Sequence, residues 1–248
     1  MNGEKLGKGE QQNSWGDMEE WAARHPFDPT LYENESAWKV ANHIDDSREN
    51  IIMEAAGAIV GYESIDKAYE KAKKEKIDIY DALLDNAMKE KDTFKAMDVL
   101  DKVDQLFVID CVEKESDWNL GVAKGMQKYT ELSRKRINSA FKNGNYRNSP
   151  IDYNYNIGAM DYLDSEIENY MFVEKQKNDS KTLPEYLKQR LENIQQKANL
   201  LEEQGKWLSD SDAMTARGIL QGLNFLKIVM DGYQDKKKVL DETIGDYR

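Results

Sequence analysis

Apolar residues recur at helical spacing through almost all of this 248-residue chain, and only four prolines interrupt them. A β-rich chain would alternate with a period of two and mark its many turns with glycine and proline. Here Ile51, Ile52, Ala55, Ala56, Ile59 and Val60 repeat with a helical period and close at Gly61. Val99, Leu100, Val103, Leu106 and Phe107 share one face, opposite Asp98, Lys102 and Gln105. Leu187, Leu191, Ile194, Ala198 and Leu201 step by four, three, four and three. That is the seam of an antiparallel hairpin or short coiled coil, usable for homo-oligomerisation or for intrachain core.

Start and stop signals divide the pattern into segments. Asp78 with Asp81, Asp92 before a stretch reaching about Glu115, and Asp117 before a stretch reaching Phe141 each read as helix starts. Ser149-Pro150-Ile151-Asp152 places proline at a first helical position, and Thr182-Leu183-Pro184-Glu185 reads as a capping box. Ser64 to Lys76 is a short charged helix, and Gly205 ends the Leu187–Leu201 helix. Nearer the start, Ser14 with Asp17, Asp28-Pro29, and Ser36 ahead of Trp38, Val40, Ala41 and Ile44 predict further helices. The segment from Asp212 to Tyr233 is apolar almost all round, which predicts a central position. The expected fold is all-α, a multi-helix bundle of about eight or nine helices. Asn143-Gly144-Asn145 is the clearest internal boundary, setting a flexible segment 1–13, an N-terminal helical region 14–142 and a C-terminal helical region 149–248. The last two can equally form one continuous domain.

Five Trp, thirteen Tyr and ten Met supply enough apolar area for a real core. The single cysteine, Cys111, excludes an internal disulfide framework and fits a reducing compartment. The longest apolar runs, Ala55–Gly61 and Leu106–Val112, are far too short to cross a bilayer. The first thirteen residues are polar with mixed charge, unlike a secretory signal. The reading is a soluble, cytoplasmic protein with no membrane partner.

Charge is distributed unevenly. Residues 119–149 carry Lys124, Lys128, Arg134, Lys135, Arg136, Lys142 and Arg147 against one acid, Glu131, a local +6 in a chain of net −12. Residues 78–117 carry −7, as do the first 62 residues. At 100° per residue Lys124, Lys128, Lys135 and Lys142 fall on one stripe, with Trp118, Val122, Met126, Tyr129, Ile137 and Phe141 opposite. Three readings follow: neutralisation of the stripe by acidic helices such as 78–117, within the fold or across a homodimer, a nucleic-acid phosphate contact extended by Arg134, Arg136, Tyr146 and Arg147, or an acidic protein partner.

Gly121 and Gly125, and again Gly218 and Gly222, stand four apart inside helices. Glycine there costs roughly 1 kcal/mol relative to alanine, so such pairs predict close helix crossings. A backbone approach to a ligand is the alternative.

Catalytic constellations are wanting. Leu106-Phe107-Val108-Ile109-Asp110 resembles a magnesium-holding strand, but no Gly-x-x-x-x-Gly-Lys loop accompanies it and the local period is helical. Asp110 therefore reads as a buried acid paired with Lys or Arg or bonded to Tyr or Trp, with a perturbed functional carboxylate as the alternative. The two histidines, His25 and His43, lack the companions that zinc or di-iron sites require. Cys111 reads as an inert thiol. Glu49/Glu54, Glu63/Asp66 and Asp98/Asp101/Asp104 are acids at near-helical spacing that a magnesium-dependent nucleotide hydrolase could use.

The expected function is that of a non-enzymatic acidic interaction or regulatory protein with a protein partner and no cofactor or metal. Lys124, Lys128, Arg134, Lys135, Arg136, Lys142 and Arg147 are its candidate partner-binding residues. An inhibitor that offers carboxylates to a nucleic-acid-binding protein, of the kind phages and mobile elements carry, is the sharpest form of that expectation. The alternatives are the magnesium-dependent hydrolase and nucleic-acid binding through the basic helix.

Overall fold

The computed structural model describes residues 48–90, 92–145, 149–174 and 181–246. The helix starts expected at Ser14, Asp28 and Ser36, and both histidines, lie outside the described residues. Nine helices are found among those described: α1 (Arg48–Val60), α2 (Tyr62–Glu75), α3 (Ile79–Ala87), α4 (Thr93–Glu113), α5 (Trp118–Lys142), α6 (Pro150–Glu174), α7 (Leu183–Glu203), α8 (Asp210–Asp231) and α9 (Tyr233–Asp246). No strand occurs among the described residues. The fold is an all-α multi-helix bundle.

Local chemistry sets the helix starts. Orphan N–H groups of a first turn need acceptors, and short polar side chains supply them. Asp78 accepts from the Asp81 N–H (2.7 Å), Asp92 from Lys95 (3.1 Å), and Asp117 from Leu120 (2.8 Å). Ahead of α7, the Glu185 carboxylate accepts both the Thr182 N–H (2.8 Å) and its hydroxyl (2.9 Å). Gly61, at φ 88°, separates α1 from α2 in a conformation that side chains disfavour.

The central helix is α4, not the Asp212–Tyr233 segment. Every residue from Val103 to Asp110 is buried, because α5 covers one side of α4 while α1, α3 and α9 cover others. Gln105, expected on the solvent face, is buried for the same reason. The α8 segment keeps Leu220 and Ile228 exposed, and it stops at Asp231, where Gly232 hands over to the separate helix α9. One apolar core runs through both expected regions: Leu106 and Met126 belong to it together with Leu163, Ile194 and Leu226. Within it, Leu187 and Ile194 of the heptad-like seam are buried inside the chain.

Both glycine pairs lie at close crossings. A Cβ on Gly121 would stand 2.7 Å from the Val112 carbonyl oxygen, and one on Gly125 would stand 2.9 Å from Val108 Cγ1. Numbers that fall on one helix as they rise on the other make α4 and α5 antiparallel. A Cβ on Gly218 would collide with the Ala159 carbonyl oxygen, and one on Gly222 would stand 2.8 Å from Leu163 Cδ2. Here both numbers rise, so α6 and α8 run parallel.

Candidate partner-binding surface

The basic segment becomes α5, and its cations do not form a free ridge. Lys124 pairs with Glu115. Lys128 pairs with Glu131 (2.9 Å) and lies over the Phe107 ring. Arg134 reaches Asp164 (2.9 Å) and Asp161 (3.3 Å) on α6. Lys135 reaches Asp81 (3.2 Å) and Asp78 (3.5 Å) at the start of α3 and lies over the Tyr80 ring. Arg136 reaches Asp101 (2.6 Å) and Asp104 (2.7 Å) on α4. Lys142 is exposed at the end of α5, and Arg147 lies outside the described residues. Lys124, Lys135 and Arg136 thus pair with acids of the −7 segment, Arg134 with acids of α6, and Lys128 within its own helix. The apolar side of α5 is buried at Val122, Met126 and Tyr129 but not at its ends. Trp118 meets Tyr233 edge-on (5.2 Å), and Phe141 stacks on Tyr153 (4.2 Å).

At the centre of that set, Asp104 is wholly buried. The Tyr80 hydroxyl donates to its Oδ1 (2.8 Å), and Arg136 stands beside its Oδ2 as an ion pair. Burial pushes the Asp104 carboxyl up to about 6, against the lowering effects of Arg136 and the Tyr80 hydroxyl. Tyr80 is raised well above its ordinary value by burial and by Asp104. Glu49 of α1 accepts the Tyr80 N–H (3.3 Å), and burial, then Asp78, raises its carboxyl. These groups join four helices through charge as well as apolar packing.

Three of the other singled-out acids, Asp110, Glu63 and Asp98, are held in ion pairs. Asp110, 2% exposed, accepts the Arg48 guanidinium (Nε 2.6 Å) and pairs with Lys114 (2.6 Å), as expected of a buried carboxylate. Glu63 pairs with Lys67 (2.8 Å), Asp98 with Lys102 (2.6 Å), and Glu54 is buried in α1. Among the described residues no three of His, Cys, Asp and Glu come together in an arrangement that could hold a metal ion. Burial, then Asp110, pushes the half-buried Cys111 thiol up, which disfavours the nucleophilic thiolate. An open groove of about 670 Å³ between α2 and α3 is lined by lysines and glutamates, with Lys67 and Lys71 there already engaged by Glu63, Glu75 and Asp85. No helix among the described residues is long and apolar enough to cross a membrane.

Two surfaces were less visible in the sequence. The 25 residues of α6 contain six acids and no lysine or arginine. Asp164 and Glu166 are engaged by Arg134 and Arg190, leaving Asp152 and Glu168 exposed. The second surface lies at one end of the bundle, where exposed apolar side chains collect. No family model matches the chain, and neither a curated protein nor a solved structure does.

Proposed function

We propose that the chain is a non-enzymatic interaction protein that presents carboxylates to a cationic surface on a protein partner. The fate of the α5 cations carries this reading. Five of the seven candidate residues are engaged by the chain's own acids, so they offer little to an external polyanion. The −12 excess is then what a partner meets, and on the cation-free α6 the exposed Asp152 and Glu168 contribute to it. The partner expected is one whose own ligand is a polyanion, and the role expected is regulatory: occupancy of a phosphate-binding surface by carboxylates. Affinity purification from the native host, with and without nuclease, followed by competition with duplex DNA, tests this. A protein partner that survives nuclease and is displaced by DNA supports the reading. A partner that binds equally well with DNA already in place overturns it.

A further inference from the structure

One end of the bundle carries the three most exposed large apolar side chains among the described residues. Because α4 and α5 are antiparallel, α4 begins where α5 ends, and the Asn145 side chain accordingly lies 3.8 Å from Met88 Sδ at the end of α3. The α6 start is tied to the same place by the Phe141–Tyr153 stack, and the parallel α8 starts beside it, with Met214 against Gly158. Lys197 to Asp212 (2.5 Å) brings the end of α7 there too. On these helix ends stand Phe94 (92% exposed), Trp207 (89%) and Ile151 (78%), together with Leu200 and Phe141. Lone exposed apolar residues are ordinary; five gathered at one pole make a contact surface.

We infer that this pole is a self-association face, covered by a second copy of the same chain. Charge selects that occupant. On the α3–α5 side stand Lys89, Lys95 and Lys142 against Glu90 and the capping Asp92; on the α7–α8 side stand Glu202, Glu203 and Asp210 against Lys206. A two-fold axis in the plane of the pole, along its midline, sets each half against the partner's opposite half. Lysines then face carboxylates, and the Phe94 half of one copy meets the Trp207 half of the other, so apolar and polar contacts combine as in stable interfaces. Elsewhere a chain of −12 repels its copy; at this pole lysines are in excess on one half and acids on the other. Dimerisation is independent of the cationic partner, and either can fail without the other.

Sedimentation velocity of the full chain over a range of concentrations tests it. The wild type is expected to sediment as a dimer, and Phe94→Ser/Trp207→Ser as a monomer with unchanged far-ultraviolet circular dichroism. Lys142→Glu alone and Glu202→Lys/Glu203→Lys alone are each expected to weaken the dimer about tenfold, and mixing the two to restore it. A monomeric wild type, a serine variant that dimerises normally, or reversals without effect would overturn the proposal. So would a wild-type monomer that uses Phe94 and Trp207 to bind lipid vesicles or an unlike protein.

Discussion

Arg136 Nη2 lies 2.7 Å from Asp104 Oδ2, joining a guanidinium and a wholly buried carboxylate across the antiparallel α4–α5 crossing. Removing one member of such a pair leaves a buried charge without its counterion, which costs about 3–5 kcal/mol. Arg136→Met should therefore lower stability by that order in urea unfolding. Asp104→Asn should cost less, because Asp101 stays 2.6 Å from Arg136 and asparagine still accepts the Tyr80 hydroxyl. The double change Arg136→Met/Asp104→Leu should recover most of the Arg136→Met loss. Equal costs for both single variants would contradict the pairing.

Asp104 also fixes a pH dependence. Its folded-state value of about 6 lies above the ordinary 3.8, so the native chain holds this proton more tightly than the unfolded chain. The stability it contributes is full below the unfolded value and is lost as pH rises through about 6, a span worth about 3 kcal/mol. Tyr80 from α3, Arg136 and Lys128 from α5, and Asp101 on α4 are the groups acting on it. Between about pH 7 and about pH 4 the wild type should gain on Asp104→Asn by up to that amount. Unfolding free energies of the two chains, measured in parallel across that range, check the sign; a gap that narrows on acidification in favour of the variant would refute it.

The glycine crossings give a contrast within one helix pair. Alanine at position 218 would drive its Cβ into the Ala159 carbonyl oxygen, a backbone atom with nowhere to go. Gly218→Ala should cost about 1–3 kcal/mol despite alanine's better helix propensity. At Gly158 the obstacle is the flexible Met214 side chain, so Gly158→Ala should be near neutral or stabilising by up to about 1 kcal/mol. Thermal denaturation of both variants would show the difference, and a similar loss in both would count against the crossing.

Cys111 is a reporter of the native core. With burial and then Asp110 pushing its thiol up, it should react with a disulfide reagent far more slowly in the folded chain than in urea. Equal rates would mean that the α4 surface around it opens freely.

The helix starts were legible because each rests on two or three adjacent residues: Asp78, Asp92, Asp117 and the Thr182–Glu185 box need no tertiary partner. The glycine pairs were legible because their cost within a helix demands a long-range return. Asp110 could be read as paired, but not with Arg48, which lies 62 residues away. The central helix was misplaced because apolarity all round does not say what covers a helix: α8 carries Leu220 and Ile228 outward, while α4 buries Asp104 and Gln105. Alignment of the α5 lysines was visible on a helical wheel, but Asp78 and Asp81 become partners of Lys135 only through the docking of α3. The apolar pole had no sequence signal at all, since it depends on which helices end together.

Whether the α5 cations are occupied within the chain is tested most directly by titrating labelled duplex DNA with the wild-type protein at near-physiological salt. Internal pairing predicts no measurable complex. A salt-dependent complex that disappears when Lys124, Lys128 and Lys135 are reversed to glutamate would contradict it.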